Sequence, residues 1–190
     1  RVGVALETAK LTPPKTLEGF DFAFQPSLDR NRILALAELH FITRCEVVHL
    51  LGPPGTGKSH LAAGLGVAAV KAGKSVYRCT LAELIDALGR AEREGRLGDK
   101  IRFLARPSLL IVDEIGYLPI TSGGANLFFQ LVNARYEKGA MILTSNRGFA
   151  RPPRACCARF LRNRIDRLLT IDGRACASPA SAPRSAGCCG

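Results

Sequence analysis

Apolar residues along this chain fall into two alternating patterns, short unbroken runs and longer stretches in which they recur at helical spacing. The runs are Val47 to Leu51, Ser75 to Cys79, Leu109 to Val112 and Ala140 to Thr144. Val47 to Leu51, Leu109 to Val112 and Ala140 to Thr144 read as buried strands, Leu109 to Val112 with both faces covered as in a parallel sheet, and Ser75 to Cys79 reads as a further strand. Between them, Ser59 to Lys71 is an Ala/Leu-rich helix stopped by Gly73, and Thr80-Leu81-Ala82-Glu83 is a capping box that opens a helix through about Leu88. A further helix is predicted from Gly124 to about Tyr136, with Leu127, Phe128, Leu131 and Val132 inside. Upstream, Ser27 or Asp29 caps a helix to about Phe41, with Ile33, Leu34, Leu36, Ala37 and His40 near one side. The βα repetition predicts an α/β fold, a doubly wound parallel sheet flanked by helices.

Three segments fit that scheme less directly. Arg1 to Pro14 reads as the end of a preceding segment or linker, with Pro13-Pro14 a stiff break. The chain begins without methionine, so residues upstream are expected. Phe20, Phe22 and Phe24 alternate with a period of two. They either cover the flank of the domain or wall an apolar slot for a flat base. Gly89 to Lys100 carries Arg90, Arg93, Arg96 and Lys100, with Arg102 just beyond and Glu92, Glu94 and Asp99 interleaved. A solvated helical hairpin is the preferred reading there, with contact to a phosphate backbone as the alternative.

The formal charge is +11, and residues 151–190 hold eight arginines and no lysine against only Asp166 and Asp172. Such an excess favours an anionic partner such as nucleic acid, although basic proteins without one are common. No apolar stretch has the length of a membrane span, and no signal-peptide pattern opens the chain. The seven cysteines include no C-x-x-C spacing and lie away from the three histidines, which speaks for reduced cytoplasmic thiols and against a zinc site.

One segment demands a ligand. Gly52-Pro53-Pro54-Gly55-Thr56-Gly57-Lys58-Ser59 fits G-x-x-x-x-G-K-[ST] between a buried strand and a helix. Its glycines let backbone N–H groups converge on the phosphates of ATP, and the helix that follows presents its positive end to them. Lys58 reaches the β- and γ-phosphates, and Ser59 ligates Mg²⁺. His60 follows directly and joins the candidate nucleotide-binding set. Asp113 and Glu114 emerge at the carboxyl end of the third run, where open α/β sheets bind ligands. Asp113 suits Mg²⁺, opposite Ser59, and Glu114 suits polarising the water that attacks the γ-phosphate. Asn146, at the end of the fourth run, is placed to sense that phosphate and orient the water. This set suits hydrolysis better than transfer to a bound small molecule.

With these landmarks in place the chain resembles the AAA+ ATPases and, within them, the IstB-like ATP-binding proteins. These are transposition helpers of bacterial insertion sequences, related to the DnaC helicase loaders. The resemblance is carried by Lys15 to Phe22, Gly52 to Ala62, Asp113 to Pro119, Arg135-Tyr136-Glu137 and Thr144 to Arg147, and covers about Leu11 to Phe149. It implies an ATPase core over residues 15–150 that forms a homo-oligomer on double-stranded DNA with little sequence preference and recruits a transposase. A DnaC-like loader of a replicative helicase and an inactive nucleotide-binding remnant are the other readings it leaves open.

Beyond Phe149 the likeness is expected to fail. Residues 151–190 are rich in Arg, Cys, Ala, Ser and Pro with little apolar periodicity, as translation in a shifted frame of G+C-rich DNA produces, and a disordered tail is expected. Asp166-Arg167-Leu168-Leu169 is similar to a helix that in the family bears an arginine finger, which makes Arg167 the candidate finger toward a neighbour's ATP. The resulting expectation is a sheet without a regular last strand or lid, leaving Val47 to Leu51 on an open edge.

Overall fold

The computed structural model describes residues 2–23, 28–115, 122–146 and, as backbone, 167–170. The predicted Phe24, Ser27, Gly116 to Pro119 and Arg147, and all of the tail except residues 167–170, lie outside the described residues. The described strands are β1 (Val47–Leu51), β2 (Val76–Thr80), β3 (Leu109–Ile115), β4 (Ala140–Ser145) and β5 (Arg167–Thr170). All pair in parallel, in the order β2-β3-β4-β1-β5. The helices are α1 (Val2–Thr8), α2 (Arg30–Ala37), α3 (His40–Thr43), α4 (Lys58–Lys71), α5 (Leu81–Arg93), α6 (Leu97–Ala105) and α7 (Ser122–Arg135).

Alternation along the central strands divides the core into two layers. Leu109 and Ile111 of β3 and Ala140 and Ile142 of β4 pack with α4, α2 and α3 on one face. Leu110 and Val112, with Met141 and Leu143, pack with α5, α6 and α7 on the other. Burial on both faces is why these strands read as continuous apolar runs. α4 covers one face after β1 and α7 the opposite face before β4, so the carboxyl ends of β1 and β3 open into the crevice where such sheets bind ligands.

Several local predictions hold. Asp29 caps α2 by accepting from the Asn31 and Arg32 amides. The Thr80 and Glu83 capping box opens α5 as predicted. α4 ends where Gly73, at φ +75°, lets the Lys74 amide return to the Ala69 carbonyl. α5 runs on to Arg93, and α5 and α6 form the solvated hairpin, in which Arg96 pairs with Glu94 and Arg102 with Asp99. Between them Arg90, Arg96 and Lys100 share a groove of about 550 Å³ with Glu83, Asp86, Glu94 and Asp99, a balance of charge that favours the solvated reading.

Other expectations are corrected. The single helix predicted to Phe41 is two, because Leu39 at φ 62° turns the chain and sends Phe41 and Ile42 into the core. Leu34 and His40, expected on the inner side, are exposed. The segment before Pro13 is not a bare linker: α1 packs on α4, Ala9 and Leu11 are buried, and the Ala9 carbonyl accepts from the Arg78 amide on the edge strand β2. Gly66 makes room for Leu11 of this segment, and Gly64 for Leu17 just beyond it. A Cβ on Gly64 would lie 2.8 Å from Leu17 Cδ2, and one on Gly66 2.8 Å from Ile111 Cδ1 and 3.1 Å from Leu11 Cδ1.

The expected missing last strand is also corrected. Residues 167–170 form β5, which pairs with β1 from Val48↔Arg167 to Leu51↔Thr170. Buried backbone N–H and C=O groups on that side of β1 require partners, and a short Leu-Leu-Thr run answers them better as a strand than as a helix. Arg167 therefore begins an edge strand rather than lying on the helix to which its neighbours were likened.

Candidate functional site

The phosphate loop leaves β1 at Leu51 and turns into α4 through Gly55 and Gly57, at φ +82° and +81°. Two left-handed positions in this short space are what a loop with inward-facing amides requires. No side chain caps the amino end of α4, whose cap position is Gly57, so its first-turn amides are not claimed by a capping side chain. Residues, loop geometry and the uncapped helix end together fit a phosphate group.

Lys58 is 5% exposed and folds over its own loop, donating to the Pro53 carbonyl at 2.5 Å and to Thr56 Oγ1 at 3.2 Å. Thr56 Oγ1 in turn donates to the same carbonyl at 2.9 Å. The His60 ring lies 3.0 Å from the Thr16 carbonyl and edge-on to Phe20 at 5.4 Å, so it binds the N-terminal segment to the first turn of α4. Phe20 also stands edge-on to Phe22 at 4.9 Å, and its ring fills the space where a Gly57 side chain would begin. Of the period-two aromatics, Phe20 thus backs the phosphate loop itself, with Phe22 edge-on to it.

Ser59 and Asp113, 54 positions apart in sequence, meet: Ser59 Oγ donates to Asp113 Oδ1 at 2.8 Å. Asp113 is 3% exposed and also accepts from Arg78 at 2.7 Å on Oδ2 and from the Thr144 hydroxyl on Oδ1. Burial by itself would raise its pKa. Hydrogen bonds from Thr144, Arg78 and Ser59, with the Arg78 charge, outweigh burial and hold the carboxyl below the usual carboxylate range. An anionic carboxylate beside a hydroxyl oxygen is a hard donor pair suited to Mg²⁺.

Glu114 follows at the exposed end of β3, at φ 63°. Its amide donates to Thr144 Oγ1 at 3.1 Å. Asn146 lies just past β4, next to the Ile115↔Ser145 pair, so the two strand ends carrying Glu114 and Asn146 are neighbours. Arg167 is not among them: it begins β5 opposite Val48, toward the amino end of β1 and away from the phosphate loop.

Sequence reading missed Arg78 and Thr144. A lone arginine inside a predicted strand was a signal for Arg78, since such a charge, where it is drawn into a sheet, calls for a carboxylate partner. A hydroxyl closing the apolar run Met141-Ile142-Leu143 was the fainter signal for Thr144.

This sheet order, with a phosphate loop after β1 and an Asp-Glu pair at the end of β3, defines a P-loop nucleotide-binding protein of the AAA+ fold. The model of the family described as IstB-like ATP binding protein matches residues 1–169, and the chain belongs to that family. The match runs past Phe149 and takes in most of β5. The insertion-sequence IS21 ATP-binding protein of Pseudomonas aeruginosa is 53% identical over 145 residues, covering 76% of this chain and 55% of its own length. The corresponding IS5376 protein of Geobacillus stearothermophilus is 44% identical over 144 residues, covering 76% and 57%. The chain thus spans a little over half the length of these relatives. Among solved structures, AMPPCP-bound DnaA from Aquifex aeolicus superposes with a TM-score of 0.72 at 22% identity, covering 85% of this chain and 51% of that one. The DnaC helicase loader gives 0.60 at 20% identity, covering 75% and 90%. At these identities the likeness concerns the fold.

Proposed function

We propose that this chain is the ATP-binding and ATP-hydrolysing core of a protein that assembles as a homo-oligomer on double-stranded DNA, with little sequence preference, and recruits or activates a transposase. The observation that carries the nucleotide reading is the contact between Ser59 and Asp113, which joins the phosphate loop to the strand-end carboxylates in one site. Ser59 and Asp113 would hold Mg²⁺, which supplies charge neutralisation at the phosphates when bound. Lys58 would leave the Pro53 carbonyl for the phosphate oxygens, a stronger charge-assisted partner. Glu114, exposed at the mouth of the site, would accept a proton from the attacking water, and Asn146 would orient that water. Arg167 stays the candidate that would reach a neighbour's ATP in the oligomer.

The insertion-sequence names of the relatives support the transposase as client. The formal charge of +11 supports DNA as the surface of assembly. No helix among the described residues is long and apolar enough to cross a membrane, and the cytoplasm is the proposed location.

ATP turnover measured with and without duplex DNA tests the proposal. Stimulation by DNA is expected, with loss of turnover in Lys58→Ala and in Glu114→Gln, the latter retaining ATP. Nucleotide binding without turnover would leave only a remnant. Co-purification with a replicative helicase in place of the neighbouring transposase would reassign the client.

A further inference from the structure

β3 and β4 do not stay in step where the site begins. Val112 pairs with Leu143, yet the next pair is Ile115 with Ser145, so β3 advances three residues while β4 advances two. The extra residue falls in the Asp113-Glu114 pair, and Glu114 takes up the left-handed backbone, rare for a residue with a side chain. A bulged amide loses its ladder partner and must find another.

The partner is Thr144. Its hydroxyl accepts from the Glu114 amide at 3.1 Å and donates to Asp113 Oδ1. One hydroxyl has one proton to give, and that proton goes to the carboxylate. The side chain is 2% exposed, so water does not substitute for it. We propose that Thr144 is a positioning residue whose hydroxyl holds the Glu114 bulge and the Asp113 carboxylate in a single arrangement, setting where the water-polarising group stands relative to the metal-binding one. This rests on the roles proposed above for Asp113 and Glu114. Thr144 itself touches neither ATP nor water in that scheme. It acts through the residues on either side of the bulge, and it lies two positions before Asn146 on the strand that also carries that amide.

Thr144→Val keeps the shape and removes the hydroxyl, whereas Thr144→Ser keeps the hydroxyl. Amide hydrogen exchange at Glu114 reads the bulge without nucleotide, and about tenfold or faster exchange is expected in T144V, with T144S near wild type. ATP turnover reads the consequence: kcat is expected to fall about 10- to 100-fold in T144V, the usual loss for a group that orients metal ligands. KM for ATP should stay within about threefold, since the phosphate loop is untouched. T144S should recover most of kcat. Unchanged exchange at Glu114 in T144V overturns the proposal, as does a T144S variant as impaired as T144V. A kcat loss that merely tracks the folded fraction in a thermal melt overturns it too. If the wild-type protein turns over no ATP, the functional reading fails, and the exchange comparison still decides whether Thr144 holds the bulge. Should T144V not fold, T144C serves in its place, its thiol being a weak donor and acceptor.

Discussion

Gly57 is under two separate constraints, and they can be pulled apart. Its φ of +81° is a conformation that costs an L-residue about 1–2 kcal/mol. A Cβ built there would also lie 2.5 Å from Phe20 Cε2 and 3.1 Å from Cζ, which forces the ring or the loop to move. Overpacking of this kind costs about 1–3 kcal/mol more. Gly57→Ala should therefore destabilise the protein by about 2–5 kcal/mol, a large share of the roughly 5–15 kcal/mol that keeps a domain folded. In a Phe20→Ala background the ring is gone and only the backbone term is left, so the same substitution should cost about 1–2 kcal/mol. Urea unfolding of the four proteins in the cycle measures both values, with unchanged m-values confirming that the transitions compare like with like. Equal costs of Gly57→Ala in the two backgrounds would refute the packing of Phe20 against the phosphate loop. A cost below about 0.5 kcal/mol in the Phe20 background would refute both constraints.

Other expectations follow from buried polar groups and caps. Arg135 is 1% exposed and donates to the carbonyls of Leu104, Pro107 and Ala140 at 2.8, 2.9 and 2.8 Å, tying the end of α6 to the start of β4. Arg135→Met should cost about 3 kcal/mol or more in urea unfolding by stranding those carbonyls, and Arg135→Lys should recover less than half, because an ammonium cannot match the planar fork. Burial pushes His49 down to about 4, so the unfolded chain takes up a proton near pH 6.5 that the folded chain refuses. Stability from this residue is present above about pH 6.5 and lost as pH falls toward 4, amounting to about 2 kcal/mol between pH 7 and 5. Urea midpoints across that range should show the loss in the wild type and a flatter profile in His49→Leu. Thr80→Ala removes the side-chain half of the capping box on α5, the hydroxyl that accepts from the Glu83 amide, and should lower stability by about 1 kcal/mol, with Thr80→Ser close to neutral by thermal melting.

The strands and the phosphate loop were legible in the sequence because their signals are local. A strand buried on both faces reads as a mostly apolar run, and β1 falls on the five residues Val47 to Leu51 that the pattern marks, with His49 its one polar member. The hairpin of α5 and α6 was legible for the same reason, since interleaved charges belong on a solvated surface. The helix predicted to Phe41 failed at Leu39, where tertiary packing of Phe41 and Ile42 overrode a helical pattern. β5 was missed because its four residues are too short for a periodicity of their own, and only the open side of β1 makes them a strand.

The sequence by itself determined that this chain carries the phosphate-loop pattern from Gly52 to Ser59 and an acidic pair on a buried strand, since backbone conformation and burial leave their mark on consecutive residues. Only the tertiary structure decided how those parts become one site. It placed Ser59 against Asp113, brought Arg78 from the edge strand to the same carboxylate, and slipped β3 by one residue so that Thr144 holds Glu114 and Asp113 together. It also set Phe20 on the back of the phosphate loop. These contacts join residues from different strands and segments, and their partners are selected by sheet order and register, which no stretch of neighbouring residues encodes.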